Sequence, residues 1–175
     1  KFIKKDRDFK FIGQEDDIFT LITLGFKRLR EFGVVNLSKD ISKITLVDSS
    51  KIQSELKEFN IYYTLDYEVD DFSRRELMSA IHSMKNGEKF YKKGNSYLDL
   101  SDAGVVEFLN LLDDLGIQNS QNNEISIEKN KALFLQEKLK NRNLQFIRGS
   151  EVFQEIVRKL LNKEYKRKLV PRNLN

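Results

Sequence analysis

The chain has no cysteine, no tryptophan, one proline and one histidine among its 175 residues. Without cysteine there is no disulfide and no thiolate metal site, a pattern that fits a cytoplasmic protein. A lone histidine leaves few routes to triad chemistry, and no paired His, HExxH or Cys cluster offers a transition-metal site. That histidine, His82, falls beside the apolar face of a predicted helix, where a surface or boundary role is the simplest reading. Phosphate-cradling signatures are missing too: there is no GxxxxGK[ST], and no GxGxxG follows a strand. No apolar run approaches the roughly 20 residues that span a bilayer, so no membrane partner is expected. The first residues, KFIKKD, hold no signal-peptide apolar region and no Met.

Hydrophobic residues make up 39% of the chain and charged residues 33%, with thirteen Phe and six Tyr. That is enough apolar material for a packed core and too much for a disordered chain. The length suits one domain, or two small ones sharing an interface. Abundant Lys, Asn, Ile and Phe point to an AT-rich bacterial genome. The net charge of +4 is unevenly placed. Residues 138–175 hold eleven Lys or Arg against three Glu, net +8, and residues 1–137 are net −4. A basic end attracts phosphates or an acidic neighbouring domain. Its plain alternative is a solvated helix surface followed by a tail.

Periodicity predicts α+β architecture: an antiparallel, strand-rich N-terminal half with two helices, then strand–helix units. Residues 9–12 read as a short strand. A helix is predicted over 15–32, its stripe formed by Ile18, Leu21, Ile22, Gly25, Phe26 and Leu29. Acids at its start and bases at its end complement the macrodipole, and Gly33 stops it. Strands are expected at 34–37, 44–47 and 61–69; in the last, Ile61, Tyr63, Leu65, Tyr67 and Val69 share a face. The stretch 51–59 is ambiguous, since Glu55–Glu58 suits a helix too, but its neighbours favour a strand. Ser73 and Glu76 form a capping box for a helix burying Leu77, Ala80, Ile81 and Met84 and ending at Gly87. A hairpin turns at Gly94 and Asn95. Ser101 is expected to cap the next helix, which runs to Gly116. The polar stretch 118–123 is the candidate boundary between a strand-rich subdomain, 1–117, and a strand-helix-strand-helix subdomain, 118–168, packed on it. In that second part a strand at 124–127 precedes a helix at 128–140, a strand at 144–147 and a last helix from 150. Pro171, the only proline, ends helix and makes 169–175 an expected linker to a downstream domain.

Three groups of residues invite a chemical reading. Asp48 followed by Glu55 and Lys57 has the residue types of a divalent-metal nuclease, two carboxylates for Mg²⁺ and a lysine to orient water. Its rival is a solvated strand face with cross-strand charge pairs. Asp16 with Asp17, and Asp70 with Asp71, lack calcium-loop spacing and read as a helix start and a turn. The segment 89–93 interleaves Lys89, Lys92 and Lys93 with Phe90 and Tyr91, as single-strand binding surfaces do. The competing reading packs the aromatics inward while the lysines guard an edge strand. With Arg158, Lys159, Lys163, Lys166, Arg167, Lys168 and Arg172 in the basic end, these three lysines are the candidate nucleic-acid-binding residues. No catalytic residue and no metal ligand is assigned.

The segment KFYKKGNSYLDL at 89–100, the helix end LLDDLG at 111–116, NKALFLQEKL at 130–139 and KLVPRNL at 168–174 occur in an order that resembles the helicase-associated domain of bacterial SWI/SNF-type ATPases. The resemblance spans about residues 60–175 and is weaker in the first third. It implies an accessory domain immediately before a DNA-dependent ATPase core, because in that family a Val-Pro-x-x-Leu element, here Val170 to Leu174, leads into the core. It carries over no catalytic residue, since the nucleotide-binding motifs of the family lie beyond this element. ATP and Mg²⁺ would belong to the parent ATPase domain, with no cofactor in this chain. The implied partners are that ATPase domain, double-stranded DNA and another protein. The expected function is therefore non-enzymatic: regulating or positioning the ATPase lobes of a helicase-like translocase. A stand-alone basic nucleic-acid-binding module is the alternative, with the metal-dependent nuclease behind it.

Overall fold

A computed structural model describes residues 2–5, 8–59, 62–120, 123–128, 131, 147–148 and 158. Most of the predicted helices at 128–140 and from 150, and most of the strand at 144–147, fall outside these residues; Glu128, expected to open a helix, ends a strand instead. The α+β class expected from the sequence is what the structure shows.

The centre is a four-stranded sheet ordered β8-β5-β4-β9. Strands β4 (Ile52–Glu58) and β5 (Tyr62–Val69) pair antiparallel, with Leu56 opposite Leu65 and Ile52 opposite Val69. β8 (Glu124–Glu128) adds antiparallel to β5, and β9 (Ile147–Arg148) adds parallel to β4. Alternation fixes which face is buried: Tyr63, Leu65, Tyr67 and Val69 point inward together with Ile125 and Ile127. Two helices cover that face. Helix α3 (Arg74–Lys85) contributes Leu77, Ala80 and Ile81, and α4 (Ala103–Asp114) contributes Val105, Phe108, Leu109, Leu111 and Leu112. All belong to one apolar core, in which Phe108 meets Tyr67 edge-on at 6.0 Å between ring centres.

The start of α3 is the predicted capping box. The Glu76 carboxylate accepts from the Ser73 backbone N–H at 2.7 Å. Helix α4 departs from expectation at its first turn. Asp102, not Ser101, is the cap, and its carboxylate accepts from the Val105 N–H at 2.9 Å. The Ser101 N–H is held by the Asp99 carboxylate at 2.8 Å, and its hydroxyl is turned to the Lys89 carbonyl at 3.4 Å rather than to the helix.

A three-stranded sheet, β3-β7-β6, sits beside α3. β6 (Phe90–Lys93) and β7 (Ser96–Asp99) form the predicted hairpin, and β3 (Thr45–Val47) runs parallel to β7. Only Gly94 in the turn has a positive φ, +56°, a conformation that costs glycine little.

The N-terminal part consists of a hairpin, β1 (Phe2–Lys5) with β2 (Asp8–Phe11), and a helix over residues 15–32. That helix is α1 (Glu15–Thr20), a π-helical segment (Leu21–Gly25) and α2 (Phe26–Phe32) in continuous succession. The Thr20 and Thr23 hydroxyls donate back to the Asp16 and Phe19 carbonyls, both at 2.8 Å, a bond that tends to bend a helix. The strand expected at 34–37 does not form: these residues are irregular and pair with no strand. Val34 is 92% exposed, so its β-branched side chain lacks the half-buried sheet surface that gives β-propensity its force.

Candidate functional site

The β6–β7 hairpin is where the sequence placed an aromatic–basic surface. Its aromatic residues turn inward. Phe90 stacks on Phe19 of α1 at 4.8 Å and lies 5.2 Å from Tyr97, while Tyr91 lies 6.2 Å from Phe72. Rings packed in this way are not platforms for bases.

The lysines between them are engaged within the chain. Lys92 donates to Glu15 at the start of α1, and its ammonium lies 5.5 Å from the centre of the Tyr97 ring. Its hydrogen bond to Glu15 raises its pKa against the opposing effect of burial. Lys93 meets Glu76 at 3.1 Å and Asp71 at 3.3 Å, donates to the Asp71 carbonyl, and sits 5.6 Å from the Phe72 ring centre. Burial disfavours the Lys93 charge, but the two carboxylates prevail and its pKa is raised. Burial likewise pushes Glu76 up; the Ser73 hydrogen bonds and Lys93 outweigh it, so its pKa is lowered. The hairpin thus fastens the N-terminal helix and the start of α3 to one another. Lys89 is exposed on the approach to β6, and its backbone carbonyl accepts from the Leu100 N–H.

Of the basic end, Arg158 is exposed, and Lys159, Lys163, Lys166, Arg167, Lys168 and Arg172 lie outside the described residues.

The residues with a nuclease-like pattern have structural partners. The Asp48 carboxylate accepts from the Ser50 N–H at 3.0 Å and its hydroxyl at 2.5 Å, capping a short turn. Glu55 stands directly opposite Asp66 across β4 and β5. Two like charges in that position repel. Lys57 joins them, 3.2 Å from Glu55 and 2.5 Å from Asp66, and its pKa is raised first by Asp66 and then by Glu55. Among the described residues, no group of three or more His, Asp or Glu side chains is placed to hold a metal ion. The Asp17 carboxylate accepts from the Gln14 N–H at 3.0 Å, and Asp70 sits in a turn with φ +45°, so both acidic pairs do the local work expected of them. His82 is exposed near the end of α3.

One feature escapes sequence reasoning. An open apolar groove of about 1200 Å³ lies along the N-terminal helix, bounded by Phe11 and by the segment 33–44, which is irregular but for a 3-10 turn at Ile41–Lys43. The signals were present but implied burial. The helix stripe Ile18, Ile22, Phe26 and Leu29 forms one wall, and Val35 and Leu37, expected in a strand, contribute to another.

Among the described residues no helix is long and apolar enough to cross a membrane. Comparison with curated proteins and with solved structures finds no significant match. A family model described as "bacterial SNF2 helicase associated" matches residues 1–171, extending through the N-terminal third as well as the segments that carried the resemblance. The chain belongs to the bacterial SNF2 helicase-associated family, and is an accessory domain of SNF2-type helicases.

Proposed function

We propose that this domain couples DNA engagement to the ATPase lobes of a bacterial SNF2-type translocase, acting on their relative position and breaking no bond itself. The family match across residues 1–171 carries this reading. In it, ATP and Mg²⁺ are handled by the ATPase domain of the parent protein in the cytoplasm, and that domain is the principal partner. Double-stranded DNA is the second partner, met by Arg158, Lys159, Lys163, Lys166, Arg167, Lys168 and Arg172. The net +8 of residues 138–175 supports this, because lysines and arginines that displace counterions from phosphates give salt-dependent, sequence-independent binding. Lys89 is the hairpin lysine best suited to join them; Lys92 and Lys93 would first have to leave their carboxylates.

Deleting the domain from the parent protein tests the reading. The expected result is altered DNA-stimulated ATP turnover with basal turnover retained; unchanged stimulation and unchanged DNA affinity would refute it. Charge neutralisation at Arg158, Lys159, Lys166, Arg167 and Lys168 separates the two roles. It should weaken DNA binding across all sequences and flatten its dependence on salt.

A further inference from the structure

The N-terminal part buries little of itself against the rest of the chain. Among the described residues from 2 to 46, only Phe19 and Leu21 are buried. Neither belongs to the core that joins the four-stranded sheet to α3 and α4. The β1–β2 hairpin closes on itself, with Phe2 edge-on to Phe11 at 5.2 Å. The helix over 15–32 turns Ile18, Ile22, Phe26 and Leu29 to the open groove rather than into that core. The segment 33–44 has no buried residue and no strand. After it the chain is pinned again at Thr45, whose N–H donates to the Asn95 carbonyl at 3.0 Å. Sparse burial and an exposed connection mark a unit that opens well before the whole molecule unfolds.

What holds this part is a catch on the outer face of the β6–β7 hairpin. Alternation sends Tyr91 and Leu98 to the core and leaves Phe90, Lys92 and Tyr97 on the opposite face, with Lys92 directly across from Tyr97. Phe19 stacks on Phe90 at 4.8 Å and lies 6.4 Å from Tyr97. About one helical turn before it, Glu15 accepts from Lys92. Tyr97 is 2% exposed although it faces away from the main core. We propose that residues 2–44 form a latch, which swings off the hairpin as one unit about the segment 33–44 while the four-stranded sheet, α3 and α4 stay folded. Opening bares Phe90, Tyr97 and Lys92, an aromatic strip edged by a cation, so that this strip is available only while the latch is open. Phe19 is the main fastening, because the Lys92–Glu15 pair is open to solvent and contributes little. The inference rests neither on DNA binding nor on coupling to ATP turnover.

Native-state amide hydrogen exchange on the whole chain reads the opening. Protected amides of 15–32 should exchange through one common opening, about 100-fold or more faster than those of α4 and β5. Phe19→Ala should quicken the N-terminal helix about 10-fold further and leave α4 and β5 within about 2-fold of the wild type. Thiol labelling gives an independent reading, since the chain has no cysteine of its own. Tyr97 and Leu98 are adjacent in β7, both buried and on opposite faces. A maleimide should label Tyr97→Cys about 30-fold or more faster than Leu98→Cys in native buffer. Exchange in 15–32 as slow as in α4, or site by site with no common rate, overturns the proposal. So does a Phe19→Ala variant in which all three elements quicken alike. Equal labelling of the two cysteine variants would make the opening global and equally overturn it.

Discussion

Lys93 sits where the β6–β7 hairpin meets the first turn of α3, and its neighbours set how the molecule responds to pH. Glu76 has a folded pKa below its ordinary 4.5, so its contribution is present above that value and is lost as pH falls through the lowered one. Lys93 has a folded pKa above its ordinary 10.5, so its contribution is complete below 10.5 and disappears as pH rises through the raised one. The pair therefore stabilises most between about pH 5 and pH 10. Urea midpoints of the wild type and Lys93→Met, measured across pH, should differ most in that window and converge at both extremes. A difference independent of pH would mean that Lys93 acts through packing on Phe72 alone. The residues that looked most catalytic, Asp48, Glu55 and Lys57, also have local structural partners. Sequence shows their charges but not that β4–β5 register sets Glu55 against Asp66, which makes Lys57 a mediator between like charges.

Among the elements, those whose pattern is closed locally were legible. β5 alternates cleanly, the Ser73–Glu76 box declares the start of α3, and Gly94 with Asn95 declares the hairpin, whereas the stretch that forms β4 reads as strand or helix until its pairing with β5 decides. What depended on tertiary neighbours was not legible. Residues 34–37 have strand-forming side chains and no strand to pair with. The π-helical segment keeps the apolar stripe of an α-helix, so periodicity alone passes over it. Ser101 and Asp102 are both good caps by type. The structure turns the Ser101 hydroxyl to the Lys89 carbonyl and leaves Asp102 to accept from the Val105 N–H. Of the candidate site, sequence supplied the lysines but not their intramolecular partners, since Glu15 is 77 positions from Lys92. The cap assignment is open to measurement. Asp102→Ala should destabilise the protein by about 1 kcal/mol, whereas Ser101→Ala should cost less than about 0.5 kcal/mol, read from chemical denaturation. A larger cost for Ser101→Ala than for Asp102→Ala would put the cap on Ser101.

For the whole molecule, the question is how far a disturbance travels. The polar stretch at 118–123 separates two parts in sequence, yet β8, which follows it, pairs with β5, with Ile125 opposite Leu65. Ile125 and Ile127 are buried in the same core as Phe108 and Leu112 of α4. Arg74, in the first turn of α3, reaches across to the Ile117 and Gln118 carbonyls at 3.2 and 3.0 Å. A core shared in this way transmits strain, because close-packed side chains leave no slack. Ile125→Ala should then cost about 2–5 kcal/mol, the range for deleting a large buried aliphatic group. More telling is where the loss is felt. Amide hydrogen exchange should quicken in α4 and β5 together with β8, by a similar factor in each, since all three open as one cooperative unit. Faster exchange confined to residues 124–128 would instead divide the molecule near residue 118, with β8 free to detach while the two helices hold.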